Sequence, residues 1–236
     1  MLKDKPIVSN QYGALVMAFV PFIYAIFKAH FILPLFWLGL AWLFLYLFSY
    51  PFFAIFSKKH TQPYKKWAGI YIGISTLFAI PVVMYDWTIL QFILPILPLA
   101  AVQIYFAKKR DERNLINDIA GIATFGIIGM AAFYLVTQQY NWEIFIHPTL
   151  FFIAGTFYVK SVARERKNPI YKKWSLGLHL GFFLCYLGLG MVSIALSYAL
   201  ASLRAVIVPY QRLSIKQVGM LEFIVVAGLM VGLYFS

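Results

Sequence analysis

Two charges stand where charges are rare. Arg204 lies in an apolar run eight residues before Arg212, and Glu222 lies six residues after Lys216 inside the next apolar run. At about 1.5 Å per helical residue, these offsets sink the guanidinium roughly 12 Å and the carboxylate roughly 9 Å into their segments. A lone ion at that depth costs several kcal/mol, so charges buried this way are paired and face other helices. An Arg204–Glu222 ion pair is therefore expected, joined by His179 at similar depth in a neighbouring segment and by Gln103 in an earlier one. Such a cluster accepts a polar headgroup while the tail lies among Phe, Tyr and Leu, or else it serves only to fix helix packing. Tyr50 and Ser49 fall at the same depth.

A second group is cationic. Lys160, Arg164 and Lys167 are spaced i, i+4, i+7, which stacks three cations on one face if the helix continues that far. With Arg166, and with Lys65, Lys66, Lys172 and Lys173, they form a ring suited to a phosphate or diphosphate, Arg by its planar fork and Lys as a point charge. The plainer reading of the same residues is a topology signal with attraction to anionic lipid headgroups. No other constellation stands out. The sequence contains no GxSxG, HExxH or phosphate-binding loop, and its one cysteine, Cys185, sits in an apolar run with no partner for a disulfide or thiolate metal site. No cofactor is expected.

The elements that position these residues follow from composition. Of 236 residues, 62% are hydrophobic and 12% charged, whereas soluble domains carry about twice that charged share. This much apolar surface requires lipid. A crossing needs roughly 17 to 25 apolar residues whose backbone polar groups pair within the segment, hence helices. The spans expected are 11–27, 31–56, 67–84, 87–106, 119–136, 144–159, a run from 174 to 208, and 218–235. That run is too long for one crossing and is flanked by cations at both ends, so it divides into two, with the turn at Gly188–Ser193. Nine spans result. Of the 20 Lys and Arg residues, only Lys28 then falls on the side opposite the rest, which places the basic side and the N-terminus in the cytoplasm and the C-terminus outside. Nucleic acid is not needed to explain the net charge of +12. The first apolar stretch lacks a small-x-small cleavage site and is expected to remain as a span.

An internal repeat is visible. Gln62-Pro63-Tyr64-Lys65-Lys66-Trp67 resembles Asn168-Pro169-Ile170-Tyr171-Lys172-Lys173-Trp174, and both open a span after a basic loop. Repeat 1 covers about 11–109, repeat 2 about 117–212, and the ninth helix, about 217–236, begins as a third copy would. Four-span copies share one orientation. The chain is expected to be a single all-α transmembrane domain, 1–236, on a four plus four plus one plan.

That plan resembles the UbiA superfamily of intramembrane prenyltransferases. Closer still, Gln11-Tyr12-Gly13, Ser49-Tyr50-Pro51, Asp111-Glu112-Arg113 with Asn117-Asp118, and Tyr158-Val159-Lys160-Ser161 through Arg164-Glu165-Arg166 are similar to the YwiC-like family of bacterial membrane proteins along the whole chain. The resemblance implies a bacterial cytoplasmic membrane. UbiA-type enzymes carry NDxxDxxxD and DxxxD carboxylates on the second and sixth spans to hold magnesium ions against a diphosphate. Here those places read Ser57-Lys58-Lys59-His60 and Lys160 to Arg166, while Asn117-Asp118 precedes the fifth span and runs into Ile119-Ala120-Gly121. Metal-dependent prenyl transfer does not fit. The expectation is a membrane protein that binds or acts on an isoprenoid or lipid with an anionic headgroup at its cytoplasmic face; a transporter or flippase and a non-catalytic accessory subunit are the alternatives.

Overall fold

The structure, a computed structural model, describes residues 5–9, 12–57, 61–211 and 213–236. Lys3, Gln11, Lys58, Lys59, His60 and Arg212 lie outside the described residues, as do the side chains of Tyr12, Thr61, Ile215 and Lys216. Among the described residues the regular structure is entirely helical: α1 (Tyr12–Lys28), α2 (Leu33–Phe56), α3 (Thr61–Tyr85), α4 (Ile93–Lys108), α5 (Leu115–Thr137), α6 (Trp142–Val159), α7 (Pro169–Gly188), α8 (Val192–Ile207) and α9 (Ile215–Tyr234). Short 3₁₀ turns precede α4 and follow α8, and a π-helical turn, Lys160–Arg164, follows α6. Seven of these helices, with their flanking turns, are long and apolar enough to cross a bilayer, at mean hydropathies of 1.2 to 2.1. This is the architecture of a multi-pass membrane protein. The apolar part of α1 is shorter, and α7, which carries Lys172, Lys173 and His179, is outside the seven.

Helix ends lie where local chemistry stops the backbone. Asn114 and Asn168 each accept a hydrogen bond from the amide two residues on, capping α5 and α7, and Pro169 fills the first position of α7 where a missing N–H costs nothing. Ser214 and Gln217 form a reciprocal capping box at α9. The long apolar run breaks inside Gly188–Ser193 as expected: α7 ends at Gly188, Gly190 takes φ +76°, and α8 starts at Val192. Only glycine enters that left-handed region without a steric penalty. Five helices, α1 to α4 and α6, contain an internal proline, at positions 21, 51, 81, 98 and 148, whereas α5, α7, α8 and α9 contain none.

The chain forms two compact units, 1–145 and 146–236. In the first, α2 and α3 make a hairpin, α1 packs on α5, and α4 on α5. Close approach of α1 and α5 depends on Gly129: a Cβ there would stand 2.7 Å from the Pro21 carbonyl carbon. Trp42 Nε1 donates to the Ala18 carbonyl at 2.9 Å and Ser75 Oγ to the Ala41 carbonyl at 2.8 Å, polar links that hold helices together where apolar side chains gain little from leaving lipid. At one end of this unit Lys28 pairs with Glu143 at 3.4 Å, and Asp86 accepts from Thr88 and from Gln138 Nε2. Those Thr88 and Gln138 hydrogen bonds, the Thr88 side chain first, hold the Asp86 carboxyl below the usual carboxylate range. The Lys28 ammonium at that end thus meets a carboxylate. The opposite end gathers exposed Lys65, Lys66, Lys108, Lys109, Arg110 and Arg113.

In the second unit α7 and α8 form a hairpin and α9 packs along α8. The α8–α9 seam is built of small residues. Ser197 Oγ donates to the Gly228 carbonyl at 3.1 Å, and a Cβ on Gly232 would stand 2.7 Å from the Ser193 carbonyl oxygen. Glycines four apart let two backbones meet this closely. Near the start of α6, buried His147 Nδ1 lies 2.7 Å from the Tyr186 hydroxyl, and Tyr186 stacks on Tyr198.

Candidate functional site

Polar chemistry in the second unit concentrates where α6 ends, α8 ends, and α7 and α9 are a few turns old. Arg204 Nη1 meets Glu222 Oε2 at 2.5 Å, so the ion pair expected from depth is formed. Arg204 Nη2 lies 3.1 Å from His179 Nε2, and His179 Nδ1 lies 2.6 Å from the Ser175 carbonyl. A carbonyl only accepts, so Nδ1 carries the proton and Nε2 presents its lone pair to the guanidinium. This assigns the neutral imidazole. The guanidinium also lies over the Tyr158 ring, with Cζ 3.9 Å from the ring centroid, a cation–π contact strengthened by exclusion of water.

The cluster is buried, and not all of its polar atoms are paired. Tyr158 and His179 are 0% exposed, and the side chains of Arg204 and Glu222 are 5% and 22% exposed. Arg204 Nε and Glu222 Oε1 have no hydrogen-bond partner, nor do the buried hydroxyls of Tyr158, Ser175 and Ser202. Buried polar atoms are nearly always satisfied, so the unpartnered Arg204 Nε and Glu222 Oε1 within this one ion pair stand out. Tyr158 also belongs to a buried hydrophobic cluster with Val162, Ala205, Val208 and Val218. Tyr158 enters the sequence reading only as part of a family motif, and Ser175 and Ser202 not at all, because hydroxyls and aromatic rings are common in spans and carry no depth signal of their own.

The other expected site residues are placed as follows. Lys160, Arg164 and Lys167 do not stack on one helical face. The helix gives way at Lys160 to a π turn closed by Glu165 N–H to the Lys160 carbonyl, and Lys167 lies in the turn that leads to the Asn168 cap. A π turn rotates each residue by less than an α turn, so i+4 and i+7 leave the common face. Lys160 is buried, at 4% exposure, with Nζ 5.9 Å from the Tyr171 ring centroid, while Arg164 and Lys167 are exposed. Arg166 ties the turn down, with Nε on the Val162 carbonyl and Nη2 on the Leu213 carbonyl at 2.9 Å. Lys172 sits over the Tyr210 ring at 4.0 Å. In the first unit, Tyr50 is exposed beside Tyr64, Asn117 Nδ2 donates to the Glu112 carbonyl at 2.8 Å, and Asp118 and Gln103 are half-buried, on α5 and α4. Ser49 Oγ is spent on the Tyr46 carbonyl at 2.7 Å.

Known proteins give a consistent picture. The family model described as YwiC-like protein matches residues 8–133. An uncharacterized protein of Haemophilus influenzae is 45% identical over 94% of this chain and 95% of its own length. The Bacillus subtilis uncharacterized protein YwiC is 36% identical over 93% of both chains. No solved structure gives a significant match.

Proposed function

The chain belongs to the YwiC-like family, and we propose that it binds a membrane lipid or isoprenoid by its anionic head at the Arg204 centre of α6 to α9. The observation that carries this is a guanidinium with a 5% exposed side chain whose Nε–H stays unpartnered beside an unpartnered Glu222 oxygen. Arg204 supplies the donor fork that phosphate oxygens need. Glu222, the more exposed member of the pair, yields as the head enters, and Lys160 and Lys172 at the same helix ends balance the added charge. The basic ends face the cytoplasm of a bacterial cell, with nine crossings, the N-terminus inside and the C-terminus outside, in keeping with the preference of Lys and Arg for the inner side.

The test is mass spectrometry of lipid retained after purification in mild detergent. The parent protein is expected to enrich one phosphate-bearing lipid or isoprenoid over the bulk membrane extract. A double variant, Arg204→Met with Glu222→Leu, is expected to lose it while remaining folded. Equal lipid profiles for the two proteins overturn the reading.

A further inference from the structure

The fork of Arg204 is already engaged on both sides. Its Nη1 meets Glu222 Oε2 and its Nη2 meets the His179 Nε2 lone pair, while its Nε–H has no partner. A phosphate gripped through two of its oxygens needs a pair of parallel N–H groups, and so competes with one of these two neighbours. His179 is held in place: it is 0% exposed, carries no charge for an anion to repel, and is tethered through Nδ1 to the Ser175 carbonyl at 2.6 Å. Glu222 has a 22% exposed side chain and the same sign of charge as an arriving head. Glu222 is therefore the group displaced. Among the described residues Arg204 is its one ion-pair partner, and its Oε1 has no hydrogen bond to begin with. The elements packed on α9 are α8 and the π turn. Besides Arg204, α8 brings Tyr198, which is turned to Tyr186, and the π turn brings exposed Arg164 and Lys160, whose Nζ lies by the Tyr171 ring. Tyr158 and His179 reach Glu222 only by way of Arg204. A buried carboxylate that loses its cation is stable only when neutral.

We infer that the anionic head exchanges with Glu222 on Arg204 and that the freed carboxylate takes up one proton from water, so that lipid binding and proton uptake occur together; this rests on the function proposed above. The Arg204–Glu222 ion pair, the head and a proton become an Arg204–head ion pair and a Glu222 carboxylic acid. For a singly charged head the net charge of the centre is the same before and after, whereas an unprotonated Glu222 adds a second anion to a buried place. The bound state holds the extra proton, so binding weakens as pH rises, by up to about tenfold per pH unit. Release runs the same exchange backwards: Glu222 gives up its proton, recovers the guanidinium and expels the head.

The test is calorimetric titration of the full chain in detergent with two phosphodiester probes, dioctanoyl phosphatidylglycerol and methyl farnesyl phosphate, in two buffers of contrasting ionisation enthalpy. Diesters are used because a phosphate monoester titrates near neutral pH itself. At about pH 6 at least one probe is expected to bind with uptake of about half a proton or more, and its Kd to rise at least about threefold per pH unit above that. Infrared difference spectra are expected to gain the C=O band of a newly protonated carboxyl. In Glu222→Gln the uptake, the pH dependence and the band are expected to vanish together. Should that variant not fold, Glu222→Asp keeps a carboxyl, and the new band must move in frequency with the substitution. Uptake that persists in Glu222→Gln, or a band that ignores Glu222→Asp, places the proton elsewhere and overturns the inference. Binding with less than about half a proton overturns it too, with Lys160 or Lys172 then neutralising the freed carboxylate, and leaves the head site standing. Failure of both probes to bind overturns the head site itself.

Discussion

Removing one member of the Arg204–Glu222 pair should not cost the same as removing the other. Arg204 cannot shed its proton, and its side chain is 5% exposed. In Glu222→Leu it becomes a buried cation with only the His179 lone pair and the Tyr158 ring for company. Breaking a buried pair in this way costs about 3–5 kcal/mol. In Arg204→Met the orphan is a carboxylate with a 22% exposed side chain, which can take up a proton and become neutral, so the expected loss is smaller, about 1–2 kcal/mol. The double variant replaces both ions with apolar groups of similar volume and should fall within about 1 kcal/mol of the parent. Equilibrium unfolding in detergent, followed by tryptophan fluorescence across the four proteins of the cycle, measures all three terms. The reasoning fails if Arg204→Met is the costlier single change, or if the double variant loses the sum of the two.

Glycine substitutions separate close approaches from open ones. Gly129→Ala and Gly232→Ala drive a methyl into the backbone of Pro21 and Ser193 and should each cost about 1–3 kcal/mol, whereas Gly155→Ala, with nothing within 4 Å of the new Cβ, should cost nothing measurable in thermal melts. Asp86 is held ionised by Thr88 and Gln138, so its contribution is complete above the usual carboxylate value of about 4 and is lost as pH falls through its lowered value; amide exchange in the 87–92 turn should accelerate there, and Asp86→Asn should abolish that pH dependence. Single cysteines at Asp111 and Glu165, in a Cys185→Ala background, should label from one side of the membrane and those at Gln139 and Gly190 from the other; any other partition rejects the nine-crossing orientation.

Much of this was legible from residue chemistry, for reasons that differ by feature. The helical class follows from apolar length alone, and the break at Gly188–Ser193 follows from basic residues at both ends of one long run. The Arg204–Glu222 contact was foreseeable because two opposite charges at similar depth have few other partners, and His179 joins them at 3.1 Å. The π turn after α6 was not legible. Lys160 to Arg166 has ordinary helix-forming residues, and the contact that accompanies the unwinding is tertiary, the Arg166 bond to the Leu213 carbonyl. The small-residue seam carried a sequence sign, Gly228 and Gly232 four apart, but its partner face on α8 emerges only when the two helices are laid together. Tyr158 belongs to the same class, since only the fold brings its ring under a guanidinium.

Helices α1 to α4 and α6 each carry a proline within their length, and α7, α8 and α9 carry none. Every such proline deletes one rung of the backbone ladder and frees the carbonyl four residues earlier. Bending stiffness is therefore spread unevenly along the chain: the proline-bearing rods have built-in joints, while the three that carry Arg204, Glu222 and His179 behave as stiff struts. A guanidinium fork that must meet a carboxylate and an imidazole at fixed angles tolerates little flexing, and the rods that aim it are the ones without joints.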